Sequence, residues 1–353
     1  MNIVIAGGGT GGHLYPCLAL ANTFMKRESK TEILFIGTAT GLEARVVPEQ
    51  GFKFQSILAQ GFIGKPILGK ARSLFYIIAG ILQSIAYLTR FSPDLVIGIG
   101  GYTAGPVMMA AFFLRIKRVI LEPNFIPGIM NKVLAPFVHL TVTAFEETKH
   151  FLRARNIACL GVPVRAEILS AKTRTEGLKE LLILGGSQGA HTINRAFIQA
   201  MPFLENAPIK ILHQTGERDY AEVTAAYQKH KINARVLKFI ENMADAYASC
   251  DFVVSRAGAG TLSELAAAGL PSLLIPFPYA KGHQEKNAEP YVKAGAAEVI
   301  LDKDLAGEMI AERILSWVKD KNKLSAMAEA SKRLGRPNAA DEIVSACFLL
   351  VRG

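Results

Sequence analysis

Twice in this chain a short, strongly apolar run breaks into glycines and at once opens a helix-like segment: IVIAGGGTGGH at residues 3–13 and LLILGGSQGAH at residues 181–191. A strand that passes straight through glycines into a helix belongs to parallel α/β architecture, where each strand needs a crossover before the next. The rest of the sequence keeps that rhythm. Runs at Ile3–Ala6, Ile33–Ile36, Leu95–Ile99, Val119–Leu121 and His139–Thr143 read as strands of a first half. Leu181–Leu184, Lys210–Gln214, Ala234–Phe239, Asp251–Ser255, Ser272–Ile275 and Ala297–Ile300 read as strands of a second. Continuous apolar runs of this kind are expected where helices cover both faces of a sheet. A length of 353 residues favours two domains over one. The expected fold is α/β, with two doubly wound Rossmann-like domains and a cleft between them. The Gly- and Pro-bearing run Leu160–Val164 marks the junction, giving domains of 1–162 and 163–340.

Composition narrows the partners. Half the residues are apolar and a fifth charged, as in a well-buried globular protein. The formal charge of +10 is unevenly placed: residues 1–162 hold 16 Lys and Arg against 8 Asp and Glu, the remainder 24 against 22. The first domain is therefore expected to meet an anionic surface or a phosphate-bearing partner. Nucleic acid is not expected, for there is no RNP-type aromatic motif, zinc-finger spacing or compact basic cluster. Cys17, Cys159, Cys250 and Cys347 are scattered without metal-ligand spacing and suit a reducing compartment. The chain opens on a buried-strand pattern rather than a signal peptide. Two uncharged stretches, 95–114 and 73–89, approach the length of a membrane span. The first is broken by Gly98, Gly100, Gly101, Gly105 and Pro106; the second is just short and carries Gln83 and Ser84, so no spanning helix is expected.

Glycines between a strand and a helix expose several backbone N–H groups beside the positive end of the helix dipole, which suits phosphate. Three loops, 7–12, 98–105 and 185–189, have this character, and all fall at strand C-termini, where open α/β sheets bind ligands. The alternative for any one loop is that its glycines serve only tight strand–helix packing. Gly7, Gly9 and Gly12 satisfy the dinucleotide pattern G-x-G-x-x-G, yet the second strand ends in Gly37-Thr38 with no acid to grip a ribose, the nearest being Glu43. A Walker lysine is absent too. The run Ser255–Leu265 (SRAGAGTLSEL) offers small residues for a diphosphate, then Glu264, a carboxylate able to accept from two ribose hydroxyls. Glu264 could instead be a helix-start carboxylate, or the acid of a capping box with Thr261. His283, Gln284, Glu285 and Asn287 follow Pro276–Tyr279, hydrogen-bonding types that suit a sugar.

On these residues the sequence resembles the bacterial peptidoglycan N-acetylglucosaminyltransferases of glycosyltransferase family 28, membrane-associated enzymes that convert lipid I to lipid II. GGTGGH with Leu14-Tyr15-Pro16, GIGGYTAGP, Asn124, GVPVR, GGSQGA, HQTG and RAGAGTLSELAAAGLP stand in that family's order from residue 8 to near residue 290. The resemblance implies the two-domain GT-B fold, with residues 341–353 returning as a helix to the first domain. It implies UDP-N-acetylglucosamine as donor, with Ser187 and its loop at the diphosphate and Arg165 near the nucleotide. Ile240 would meet uracil through its backbone. Ala259, Gly260, Thr261, Leu262, Ser263 and Glu264 would hold phosphate and ribose, and Gln284 and Asn124 the sugar. Thr10, Gly11 and Gly12 count among the donor-binding residues and would also face the acceptor's diphosphate and the reacting centre. The family's His-Glu-Gln-Asn run is here Leu121-Glu122-Pro123-Asn124, which keeps the acid and the amide and loses the other two.

The implied reaction is inverting transfer to the 4-hydroxyl of N-acetylmuramic acid on undecaprenyl-pyrophosphate-linked lipid I. It needs a base, for which His13 is the first candidate and Glu122 the second. No metal site and no cofactor are expected, a divalent ion at most stimulating. Apolar residues on nearly every face of 70–90, with Lys70 and Arg72 beside Leu74, Phe75 and Ile78, suggest contact with an anionic leaflet. The alternative is a fully buried core helix. The expected location is peripheral, on the cytoplasmic face of the bacterial inner membrane. Two other functions fit the same scaffold: a UDP-N-acetylglucosamine 2-epimerase, which would lack the lipid patch, and a nucleotide-sugar sensor, which would not need His13 and the glycines around it.

Overall fold

The computed structural model describes residues 1–8, 11–60, 67–169, 179–186, 188–278 and 282–353, and within 67–74 the backbone only. The chain separates into two compact units, Met1–Arg165 with Pro337–Gly353, and Ala166–Arg336.

In the first unit β1 (Asn2–Ala6), β2 (Glu32–Gly37), β3 (Lys53–Ser56), β4 (Leu95–Gly98), β5 (Lys117–Glu122), β6 (Leu140–Thr143) and β7 (Ile157–Cys159) form one sheet in the order 3-2-1-4-5-6-7, every pair parallel. Helices α1 (Gly11–Arg27), α2 (Leu42–Glu49), α3 (Ile67–Phe91), α4 (Gly101–Phe113) and α5 (Ile129–Leu134) join the strands. The strand order reverses between β1 and β4, whose registers align Ala6 with Gly98. Two glycine loops therefore leave the same edge side by side. In the second unit β8 (Lys179–Leu184), β9 (Ile209–Gln214), β10 (Ala234–Leu237), β11 (Phe252–Ser255), β12 (Ser272–Leu274) and β13 (Ala297–Val299) run parallel in the order 10-9-8-11-12-13. Its helices are α6 (Ala166–Leu169), α7 (His191–Leu204), α8 (Tyr220–Lys229), α9 (Met243–Ser249), α10 (Ala259–Ala268), α11 (His283–Lys293), α12 (Gly307–Lys319) and α13 (Lys321–Leu334). Here the reversal lies between β8 and β11, with Leu184 level with Ser255. Both units are doubly wound, and each carries its candidate loops at the switch point, where such sheets bind ligands.

Central strands read clearly because both their faces are buried: Ile3, Val4, Ile5, Ala6 and Leu181 to Ile183 are wholly enclosed. The short strands β3 and β7, not anticipated from the sequence, flank the first sheet and are only half covered, so neither carries a long apolar run. The last helix, α14 (Ala339–Arg352), packs on α1, burying Ile343, Val344 and Cys347 in the first unit's core and setting Phe348 against Phe24.

Helix α3 is not a fully buried core helix. Gly80, Ser84 and Leu88 form a buried stripe at four-residue spacing, and a side chain on Gly80 would strike the Leu58 carbonyl and Pro106 of α4. Its other side presents Phe75, Ile78 and Leu82 with 66%, 51% and 63% of their surface exposed. Among the described residues no helix is long and apolar enough to cross a membrane.

Candidate active site

Gly7 and Gly8 of the first loop are needed for close approach. A side chain on Gly7 would collide with Ile99 at the end of β4, and one on Gly8 with the Glu43 carboxylate. At these two positions packing alone already requires glycine. Gly11 and Gly12 begin α1, whose early N–H groups point past the end of the helix. The neighbouring turn uses Gly100 and Gly101 at φ 95° and 77°, a left-handed conformation that favours glycine. His13, in the first turn of α1, lies against this turn, a β-carbon on Gly101 falling 4.0 Å from His13 Nδ1 and 3.7 Å from the Gly8 carbonyl oxygen. Burial lowers the His13 pKa below its ordinary value, opposed by a hydrogen bond to the Gly8 backbone and by the charge of Glu43. His13 is therefore a neutral imidazole near pH 7, fit to accept a proton.

Glu122 closes β5 and is turned inward. Its Oε1 accepts from the Asn124 N–H (2.9 Å) and Asn124 Nδ2 (3.1 Å). Its Oε2 accepts from the Gly128 N–H (2.8 Å) and Asn131 Nδ2 (2.9 Å). Burial pushes its carboxyl pKa up and these four donors pull it back. An anchor for the loop 122–131 is what this geometry makes, rather than a base aimed at a substrate. The amide of Asn124 is held by the same carboxylate. Leu121 sits in the apolar core, so the histidine of the family pattern is replaced here by packing.

In the second unit the loop after β8 is clamped onto the end of β9. Gly186 and Gly189 have φ of 83° and 78°, and a side chain on Gly189 would strike the Thr215 carbonyl. Gln214 Nε2 donates to the Gly186 carbonyl at 2.8 Å. A buried polar chain that the sequence reading missed stands beneath. Burial drives the His213 pKa to about 3, so the ring is neutral. Asn194 spends both amide hydrogens on the Thr215 carbonyl and Asp219 Oδ2, so its oxygen must accept from His213 Nε2, and His213 Nδ1 accepts from Tyr227. Every member is satisfied by one tautomer. The HQTG block was the available signal, a histidine and a glutamine inside an otherwise apolar strand.

The third element is α10, entered from β11 with Gly258 as N-cap and no capping side chain. The capping box with Thr261 is thus not formed, and Glu264, the sixth residue of the helix, is not a helix-start carboxylate. Instead its Oε2 accepts from the hydroxyl of buried Tyr247 in α9 at 3.1 Å. The N–H groups of Ala259, Gly260 and Thr261 precede the first helical hydrogen bond, which Leu262 makes to Gly258. Leu262 is fully buried, and the Ser263 hydroxyl donates to Ala259, so these two hold the helix. Gln284 Oε1 accepts from the Ala257 and Phe277 N–H groups, tying the loops after β11 and β12 together. Arg256, also missed, bonds Asp302, Thr192 and the Ile275 carbonyl. Ile240 is buried in the segment between β10 and α9. Arg165 belongs to the first unit, its guanidinium 4.6 Å from the Tyr15 ring centre. Thr10, Ser187 and the side chains of Lys70, Arg72 and Leu74 lie outside the described residues. Among the described residues no group of three His, Cys, Asp or Glu could hold a metal ion.

Two doubly wound parallel sheets, each with glycine-rich loops at its switch point, make an architecture that nucleotide-sugar glycosyltransferases use. The sequence model of the glycosyltransferase family 28 N-terminal domain matches residues 3–143, and that of the family's C-terminal domain matches residues 180–343. A protein of Geobacter sulfurreducens named UDP-N-acetylglucosamine–N-acetylmuramyl-(pentapeptide) pyrophosphoryl-undecaprenol N-acetylglucosamine transferase is 42% identical, over 98% of this chain and 97% of its own. One of the same name from Anaeromyxobacter is 43% identical, over 100% of this chain and 94% of its own. Among solved structures, Acinetobacter baumannii MurG superposes with a TM-score of 0.80 at 29% identity, covering 98% of both chains. A putative UDP-N-acetylglucosamine 2-epimerase of Listeria monocytogenes superposes with a TM-score of 0.71 at 14% identity, over 98% of this chain and 95% of its own, and shares the fold alone. The chain belongs to glycosyltransferase family 28, and within it to the family of these N-acetylglucosamine transferases.

Proposed function

We propose that this protein moves N-acetylglucosamine from UDP-N-acetylglucosamine to the 4-hydroxyl of the N-acetylmuramoyl-pentapeptide of lipid I, with inversion, giving lipid II for peptidoglycan. The observation that carries this reading is identity above 40% across nearly the whole chain to proteins named for that transfer.

The second unit binds the donor. The unpaired N–H groups of Ala259, Gly260 and Thr261 receive phosphate, and Glu264, steadied by Tyr247, accepts from the ribose hydroxyls. The Gln284 oxygen is committed to the backbone, so its amide nitrogen is the atom left to donate to the sugar. The first unit binds the acceptor diphosphate at the loop before α1. In the transfer, the acceptor oxygen attacks the sugar's anomeric carbon, the bond to the UDP oxygen breaks, and the acceptor proton passes to His13. Helix-start N–H groups meet the charge that develops on the departing diphosphate. No cofactor takes part.

The acceptor carries a lipid, and the first unit has a surface for it. Phe75, Ile78 and Leu82 lie open on α3, and Phe113 and Phe137 are 60% and 46% exposed at the ends of α4 and of the 3-10 turn that follows α5. With the basic surplus of residues 1–162, this face dips into an anionic leaflet, holding the protein on the cytoplasmic side of the inner membrane. UDP release tests the reaction: it is expected with UDP-N-acetylglucosamine plus a lipid I analogue and not with the sugar nucleotide alone. Conversion of the sugar nucleotide to its 2-epimer without acceptor would overturn the reading.

A further inference from the structure

Glu43 is a carboxylate that the chemistry above leaves unused, and it is 1% exposed, near the start of α2. Its Oε1 accepts from the Thr38 N–H at 2.9 Å and the Thr38 hydroxyl at 3.0 Å. Three glycines from three segments crowd it: a side chain on Gly8, Gly37 or Gly41 would collide with Glu43. The loop after β1, the end of β2 and the entry to α2 thus converge on one buried charge. Burying a carboxylate is costly unless its neighbours compensate, so a site needing only bulk would be better filled by an apolar side chain.

Gly8 links this charge to the reacting centre. Its α-carbon faces Glu43, and its backbone holds the His13 ring. We propose that Glu43 is a positioning residue for the transfer: its buried carboxylate fixes Gly8 and, through it, the His13 ring, and favours the imidazolium formed when His13 takes the acceptor proton. The inference rests on His13 as the base. In the step it assists, the acceptor O–H bond breaks and its proton goes to the imidazole, while the new C–O bond forms and UDP leaves. Other groups at this end of α1 include Cys17, a buried thiol whose pKa burial pushes up, and Tyr15 with Arg165 stacked on it.

The test compares the intact wild-type protein with Glu43→Gln, Thr38→Val and His13→Ala. Readouts are kcat against pH, UDP affinity, and the NMR titration of the His13 ring. Glu43→Gln is expected to lower kcat by roughly tenfold or more, to move the acid limb of the profile and the His13 titration to lower pH, and to leave UDP affinity unchanged. Thr38→Val, which removes one anchor of the carboxylate, should lower kcat less and in the same direction. It decides the matter should Glu43→Gln fail to fold: wild-type kcat in Thr38→Val then overturns the proposal. Wild-type kcat with an unmoved limb in a folded Glu43→Gln also overturns it. Full activity in His13→Ala would instead remove the base assignment on which it rests.

Discussion

Glu122→Gln separates an anchor from a base. The carboxylate receives four N–H donors, two on each oxygen, in a site 2% exposed. Glutamine keeps the shape but turns one oxygen into an NH2 group, so two donors face another donor. The least damaging arrangement leaves the carbonyl with Gly128 and Asn131, of which Asn131 is fully buried, and sets the NH2 against half-exposed Asn124, which can turn to water. Each buried donor left unmet costs about 1–3 kcal/mol, and bonds to a charged acceptor stand at the upper end. A loss of about 2–4 kcal/mol follows, a fall of roughly 5–15 °C for a unit of this size. Thermal melts followed by calorimetry would read it, with UDP added to shift and so identify the second unit's transition. Turnover well below the melting range should drop by no more than about tenfold. An unchanged melt with turnover reduced by about a thousandfold would refute this reasoning and make Glu122 the base.

Further outcomes follow from the same geometry. His13→Ala should lower turnover by about a hundredfold or more while leaving UDP-sugar affinity intact; unchanged turnover removes it from the chemistry. Tyr247→Phe takes away the bond to Glu264 and should weaken UDP binding by about fivefold, the worth of roughly 1 kcal/mol, seen by titration calorimetry; unaltered affinity would mean Glu264 needs no such support. His213 has a pKa of about 3 folded, against about 6.5 in the unfolded chain, so the unfolded state binds the extra proton between these values. Stability is then full above pH 6.5 and falls on acidification by up to about 1.4 kcal/mol per pH unit. Wild type should lose stability between pH 7 and 5 more steeply than His213→Gln, and parallel slopes would contradict the account. Phe75→Ser with Ile78→Ser should reduce binding to anionic vesicles without shifting the melt; a collapsed fold would mean these exposed side chains pack after all.

Much of the architecture could be read from the chain because strands buried on both faces write themselves as unbroken apolar runs. The flanking strands β3 and β7 could not, since KFQS and IAC are half covered and carry no such run. The glycine loops were legible as loops, but the reason for Gly7 and Gly8 was not: it lies in Ile99 and Glu43, distant in sequence. Glu43 stands too far along the sequence to hold a ribose in the dinucleotide pattern, and the fold turns it inward beneath the same loop. Ser/Thr-x-x-Glu spacing suggested a cap at Thr261, whereas the helix is capped three residues earlier, at Gly258, and sets Glu264 toward Tyr247. Partners such as these are fixed by tertiary packing and leave no local pattern.

Transfer itself is the most direct test of the central claim. The protein would be incubated with UDP-N-acetylglucosamine labelled in the sugar and a lipid I analogue in anionic detergent micelles, and the lipid product isolated and its new linkage assigned by NMR. The account predicts label in the lipid, β-linked to the muramoyl 4-oxygen, one UDP released per sugar transferred. Label that stays with the nucleotide or is released as free sugar would contradict it.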